Sequence, residues 1–507
     1  MKASFFLPIL ALLLWDCSMK NAAVAPQEVQ KPNIVIFYVD DLGYADLRSY
    51  GAKGVETPHV DKLVKGGLKF NDAHSSSATC TPSRYSLLTG EHAFRNDAQI
   101  LPGDAPLLID TAKYTLPKML REVGYTTGVV GKWHLGLGNG EVDWNGKVSP
   151  GPLEIGFDYS FLLPSTGDRV PTVYLENHSV LNLTDSDPLK VSYKDDLGQV
   201  RATKENARYA SDGQHSETLV NGVGRIGAMT GGKSAYWKDE EFPDVLTSKA
   251  VSFIEKSKHQ PFFLFFSFHD IHVPRLPNER FQGKTEMGPR GDAIVQMDWI
   301  TGQVMNKLKE LGLEKNTLVI FTSDNGPVLN DGYADMAEEK LGGHNPAGPY
   351  RGGKYSSFEA GTRVPHIVYW PKVVAPGETN ALFSQLDYFA SFAALTGAKL
   401  PSGVAPDSEN QLSALLGNTK KAREVLLEES FTLALRQGKW KYIRPVDKSK
   451  KFPTWLANKN IESGLQYEPQ LFDLERDINE NINVANDFPE IVRQMEARLK
   501  EIENGIN

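Results

Sequence analysis

The sequence predicts an α/β fold: a large, mainly parallel sheet sandwiched by helices, followed by a smaller C-terminal antiparallel sheet with a helix. Three observations predict it. Almost uninterrupted apolar runs at 33–39, 124–130, 261–268 and 317–322 have the texture of strands buried on both faces. Stretches with helical apolar spacing alternate with them, at 60–66, 116–123, 246–257 and 293–311, as crossover helices do in a parallel sheet. From about residue 400 the texture changes to strands in series (425–430, 435–443, 470–474) closed by an amphipathic stretch at 488–502. A chain of 507 residues exceeds what one small core encloses, so we expect a large domain over 26–400 and a smaller one over 401–507.

In chain order, residues 1–25 have the form of a secretory signal: Lys2, an apolar run from Phe5 to Leu14, then Ala23-Val24-Ala25 as a small-x-small cleavage site. The run is too short to span a bilayer and no later segment is long and apolar enough, so the expectation is export, periplasmic or secreted, without a transmembrane segment. Cys17 in Leu14-Trp15-Asp16-Cys17 leaves lipoprotein anchoring as a minor alternative. Cleavage would remove two lysines and one aspartate, taking the formal charge from −8 to −9. That charge speaks against a nucleic-acid binder, which should be basic, but does not exclude an anionic substrate met by a local cationic cluster.

The first core run ends in Asp40-Asp41-Leu42-Gly43. Adjacent carboxylates behind a buried strand are costly unless something neutralises them, and a hard cation on oxygen ligands would do so. Two water-facing loop aspartates are an equal reading of this segment alone. The run at 317–322 ends in Ser323-Asp324-Asn325-Gly326, a second oxygen-rich pair at the carboxyl end of a core strand, the edge where open α/β sheets bind ligands. Asp40, Asp41, Asp324 and Asn325 offer only oxygens, pointing to calcium or magnesium rather than zinc. Two more strands end alike: 124–130 runs into Gly131-Lys132-Trp133-His134, and 261–268 into His269-Asp270-Ile271-His272-Val273-Pro274. Four apolar strands that each end in reactive polar groups are not what a random core would give.

Between the first two strands lies Cys80-Thr81-Pro82-Ser83-Arg84, continuing to Leu88-Thr89-Gly90. It has the marks of a helix start, with Thr81 as cap, Pro82 in the first helical position and Gly90 at the exit. Cys80 is expected just before the helix N-terminus, where the positive end of the dipole and Arg84 favour an ionised thiol. With Cys17 removed it has no disulfide partner. A free, inert, buried cysteine is the plain alternative, but the polar surroundings (74–79 before it, Thr-Pro-Ser-Arg after it) argue against an apolar pocket.

Cys80-Thr81-Pro82-Ser83-Arg84 with Leu88-Thr89-Gly90 resembles the signature of the formylglycine-dependent sulfatases, and the resemblance spans nearly the whole chain beyond the signal. It implies an alkaline phosphatase-like fold, oxidation of Cys80 to formylglycine by a maturation enzyme, and one calcium ion on Asp40, Asp41, Asp324, Asn325 and the formylglycine oxygen. It further implies that Arg84 and Lys132 hold the nucleophile and the metal end, that His134 is the base, and that His272 and Lys354 bind the sulfate and protonate the leaving alcohol. Lys354 stands in Tyr350-Arg351-Gly352-Gly353-Lys354, a glycine-rich loop that lets an ammonium approach an anion closely. His269, three residues before His272, is expected as a substrate contact rather than a catalyst. Asp168, Arg169 and His344 resemble segments of carbohydrate-directed members that line the sugar pocket, with a surface loop charge as an equal reading of each. The loop region over about 168–237 is expected as the seat of specificity. The implied activity is hydrolysis of a sulfate ester on a sulfated sugar or glycan, releasing inorganic sulfate. A phosphonate or phosphate ester hydrolase of the same superfamily is the first alternative, weakened because no second His/Asp ligand set is visible. A non-catalytic glycan-binding relative is the second, weakened because every member of the constellation is present.

Overall fold

The alternation of residues along β1 (Asn33–Val39) explains its apolar run: Ile34, Ile36 and Tyr38 enter one core, Val35, Phe37 and Val39 the other. A strand with helices on both sides has no polar face, so period two disappears from its sequence. The computed structural model describes Met1 and residues 31–505 except 450, 451, 453, 458 and 460. The signal and the Cys17 alternative therefore lie outside the described residues. Pro32–Asn507 make one compact unit.

In chain order the main sheet continues with β2 (Leu68–Phe70), β3 (Thr126–Lys132), β4 (Tyr159–Leu163), β5 (Leu175–Glu176), β6 (Ser179–Val180), β7 (Phe262–Ser267), β8 (Thr317–Ser323), β9 (His366–Tyr369) and β10 (Gly377–Thr379). Their spatial order is β10-β2-β9-β8-β1-β7-β3-β4-β5-β6. The centre, β8-β1-β7-β3-β4, is parallel throughout, with Ile34 opposite Phe263 and Leu318. β9 runs antiparallel to both β8 and β2. On one face lie α1 (Pro58–Gly66), α4 (Phe242–Ser257) and α5 (Gly288–Glu310); on the other lie α2 (Cys80–Thr89), α3 (Leu116–Glu122) and α6 (Tyr388–Thr396).

The smaller sheet is β11 (Val425–Glu429), β12 (Leu433–Gln437), β13 (Trp440–Ile443) and β14 (Gln470–Asp473), antiparallel in that order. Met495, Leu499 and Ile502 of α7 (Pro489–Glu503) pack on Leu427, Leu435, Tyr442 and Leu471. The stretch 435–443, expected as one strand, is a hairpin that turns at Gly438, whose φ of 57° is left-handed and suits glycine. The loop region over 168–237 holds two short ribbons, Lys190–Ser192 with Ala228–Thr230 and Thr218–Val220 with Val223–Arg225.

Candidate active site

Parallel strands share a direction, so the residues following β1, β3, β7 and β8 emerge at one edge of the sheet. Asp40 and Asp41 follow β1, and Asp324 and Asn325 follow β8 one register step away, where Val39 is opposite Ser323. Asn325 Nδ2 donates to Asp41 Oδ1 at 2.8 Å, and carboxylate oxygens of Asp40, Asp41 and Asp324 lie within 4.8 Å of one another. All four side chains are fully buried. Burial pushes the Asp40 and Asp41 carboxyls up, against the pull of Lys132 on Asp40 and of Lys354 on Asp41.

Three cations answer this charge. Lys132 Nζ lies 2.5 Å from Asp40 Oδ2, and Lys354 Nζ lies 2.9 Å from Asp41 Oδ2. Arg84 reaches Asp324 Oδ2 through Nε and Nη2 at 3.0 and 2.7 Å. Asp40 Oδ1 and Asn325 Oδ1 nevertheless find no hydrogen-bond partner. A buried oxygen left without a donor is costly, and a cation would satisfy both. The donor set is oxygen alone and fits a hard divalent ion.

α2 delivers Cys80 to this edge. The capping residue is Thr79, extended at φ −145° and ψ 146°, and Cys80 is the first helical residue. The expected cap, Thr81, instead donates from Oγ1 to the His134 carbonyl at 3.0 Å, tying the helix to the end of β3. Cys80 Sγ stands 3.2 Å from His134 Nδ1, and His134 Nε2 lies 2.9 Å from the Leu101 carbonyl. A carbonyl only accepts, so the ring proton sits on Nε2 and Nδ1 presents its lone pair to residue 80. The expectation of an easily ionised thiol fails: burial raises the Cys80 pKa and outweighs the nearby lysine charges. Burial also holds His134 well below the ordinary histidine value, helped by Lys132 and Arg169. Asp41, His134 and Tyr355 take left-handed φ of 61°, 54° and 70°, a clustering of backbone strain that marks functional sites.

His272 gives Nδ1–H to the Val273 carbonyl at 2.7 Å, leaving Nε2 3.9 Å from Asp41 Oδ2. His269 accepts the Gly167 amide on Nε2 at 2.7 Å. Cys80, Asp168, Arg169, His272 and Lys354 line a cavity of about 300 Å³; His269 and His344 do not. His344 turns to Asp46, Nε2 to Oδ1 at 2.9 Å, beside the Arg290–Asp46 pair, and so braces its own loop. Asp168 pairs with Arg169 at 3.0 Å and with His215 Nε2 at 3.4 Å. The sequence reading missed His215, Asp331, Tyr355 and Lys459, which also line the cavity. Asp331 joins Lys354 (3.1 Å), Lys459 (2.8 Å) and the Tyr355 hydroxyl (3.2 Å), and those lysine charges hold its carboxyl below the usual range despite burial. Adjacency to Lys354 could have flagged Tyr355; the other three carry no spacing that sets them apart.

Comparison with known proteins agrees with this geometry. A family model described as Sulfatase matches residues 32–398. The N-acetylgalactosamine-6-O-sulfatase of Bacteroides thetaiotaomicron is 49% identical over 98% of this chain and 99% of its own. The steryl-sulfatase of Rattus norvegicus is 31% identical over 89% of this chain and 82% of its own. A solved structure from work on glycosaminoglycan metabolism by Bacteroides thetaiotaomicron superposes with a TM-score of 0.91 at 49% identity, covering 94% of this chain and 100% of that one.

Proposed function

This chain belongs to the sulfatase family, and we propose on that footing that it hydrolyses the 6-O-sulfate of N-acetylgalactosamine, free or within a glycan. The choice of sugar is supported by the 49% identity to a relative of that specificity over nearly the whole chain. The chemistry rests on one observation: Cys80 lies 3.2 Å from a histidine nitrogen whose lone pair faces it, beside a buried set of oxygen ligands.

Formylglycine made from Cys80 would supply an oxygen nucleophile as its hydrate, and a calcium ion held by Asp40, Asp41, Asp324 and Asn325 would draw charge from the sulfate. The remaining work falls to the chain's own groups. Arg84 and Lys132 hold the Asp324 and Asp40 carboxylates in place. His134, neutral and proton-free at Nδ1, takes a proton from the group at position 80. Lys354, fixed between Asp41 and Asp331, meets the sulfate as a fixed positive charge. His272 turns Nε2 to the same place; an arriving anion raises its proton affinity, so Nε2 takes up a proton from solvent as the sulfate ester binds and gives that proton to the oxygen of the leaving alcohol. Asp168 and Arg169 meet sugar hydroxyls at the wall of the cavity. His269 acts through Gly167, whose amide it holds. No described helix is long and apolar enough to cross a membrane, and export through residues 1–25 belongs to the same reading.

Two measurements test this. The tryptic peptide Phe70 to Arg84 of protein from its own source should be about 18 Da lighter than its cysteine form. Such protein should release sulfate from 6-O-sulfated N-acetylgalactosamine far faster than from the 4-O-sulfated isomer or 6-O-sulfated N-acetylglucosamine. A converted peptide with no release from the first sugar would overturn the substrate; an intact cysteine in active protein would overturn the mechanism.

A further inference from the structure

The cavity over Cys80 has a second one beside it. The outer cavity, about 510 Å³, is walled by residues from 210–214 and 329–339. Gln214, Trp455 and Lys459 belong to the walls of both, so the two adjoin across these three side chains. Each is of a size suited to a small-molecule site, which is typically ~300–1,000 Å³.

The sign of charge changes from one to the other. Arg169, Lys354 and Lys459 line the inner cavity against Asp168 and Asp331. The outer cavity has Asp212, Asp335, Glu338 and Glu339 against Lys459 alone. Asp335 is matched by Arg275 at 2.7 Å and Asp212 by His215 at 2.7 Å. Glu338 and Glu339 are exposed and form no ion pair among the described residues, so their charge faces whatever enters. At the junction the half-buried indole of Trp455 is propped by Tyr355, centroids 4.9 Å apart at 81°, and by Phe431 at 5.8 Å and 74°. An indole held in place offers a flat apolar surface of the kind on which the C–H face of a pyranose rests.

We propose that the outer cavity is the subsite for the sugar joined to the sulfated one, and that it takes an uncharged sugar in preference to a uronate or a second sulfated residue. The inference rests on the sulfated-sugar reading above. Sulfate goes to the cationic inner end; a second anion would sit against Glu338 and Glu339, where like charges raise the cost of binding and slow encounter. Trp455 favours the neutral neighbour by contact, and the glutamates disfavour the anionic one by charge.

The test uses matured protein and three substrates: the free 6-O-sulfated sugar, that sugar linked to a neutral hexose, and that sugar linked to a uronate. We expect kcat/KM for the hexose-linked substrate to equal or exceed that of the free sugar, and that of the uronate-linked one to be about tenfold lower at low salt. The penalty should shrink in ~0.5 M salt, where the Debye length is a few ångströms. Combined Glu338→Gln and Glu339→Gln should bring the two linked substrates within about threefold while leaving the free sugar unchanged. Trp455→Ala should lower kcat/KM for the hexose-linked substrate relative to the free sugar. Turnover of free and linked sugars with no discrimination against the uronate, or discrimination untouched by both salt and the glutamine variant, overturns the inference alone. Failure to turn over any sulfated sugar by protein carrying the converted peptide overturns the reading beneath it as well.

Discussion

His134 carries its ring proton on Nε2, against the Leu101 carbonyl, and that one bond decides what faces residue 80. Replacing it with glutamine should lower kcat by about 10²–10⁴-fold with a much smaller change in KM, since a general base acts in the reaction step rather than in binding. The peptide mass should stay about 18 Da below the cysteine form in that variant, which separates lost chemistry from lost maturation. Asp40, Asp41, Asp324 and Asn325 give a second outcome. Chelation should abolish sulfate release and lower the Tm by several degrees, and calcium should restore both, because an ion at ~100 times its Kd adds about 2.7 kcal/mol to folding. An unchanged Tm in chelator would argue against a structural ion in this cluster. These residues were legible because strand ends advertise them: a buried apolar run that stops at a charge is visible in a single sequence. His215, Asp331 and Lys459 come from loops far apart in the chain, and only tertiary packing makes them neighbours. The state of the Cys80 thiol was misjudged for a related reason: the helix N-terminus can be read from sequence, but the burial that overrides it cannot.

Among the elements, β3 is the one whose placement the proposed chemistry depends on most, since it delivers both Lys132 and His134. It passes β7 at Gly131, where a Cβ would sit 1.8 Å from the Ser267 carbonyl oxygen and where φ is 111°. Backbone, not a flexible side chain, stands in the way, so the strands would have to part. Gly131→Ala should therefore cost well above the ~1 kcal/mol typical of point substitutions and yield little soluble protein. Where folded protein is recovered, loss of sulfate release should exceed any change in the circular dichroism of the sheet; wild-type activity and Tm would contradict the close approach. The parallel centre of the sheet was legible from its continuous apolar runs. The hairpin at Gly438 was not, because Trp440 to Ile443 continue the β texture of Leu433 to Gln437 across a two-residue turn. β4 escaped notice since Tyr-Ser-Phe-Leu-Leu is short and interrupted by a hydroxyl.

At the scale of the whole molecule, the small sheet is bound to the catalytic edge rather than merely tethered to it. Glu429 of β11 accepts the Ala78 amide on its carbonyl at 2.7 Å, two residues before Cys80. Beside it a buried network joins Asp72, His74, Glu359 and Arg363 to Glu428, Arg436, Lys441 and Glu480. Lys441 touches Glu359 at 3.1 Å and Glu428 at 2.9 Å but stands 3.7 Å from Glu480, whose Oε1 has no hydrogen-bond partner. Burial accordingly pushes Glu480 up to about 8, while Glu359 and Glu428 are held below the ordinary glutamate value by Lys441 despite their own burial. The signs oppose one another. Glu480 favours the fold while protonated, so its contribution is complete below about 4.5 and is lost as pH rises towards about 8. Glu359 and Glu428 contribute above their ordinary value and lose it on acidification. Glu480→Gln keeps an oxygen for the Glu359 amide, which Glu480 accepts at 2.6 Å, and removes the proton that titrates. Between pH 5 and 8 the wild-type unfolding free energy should thus fall by about 2–4 kcal/mol more than that of the glutamine variant. Denaturant unfolding at several pH values reads this difference directly, and parallel curves for the two proteins would mean that Glu480 is ionised in the fold.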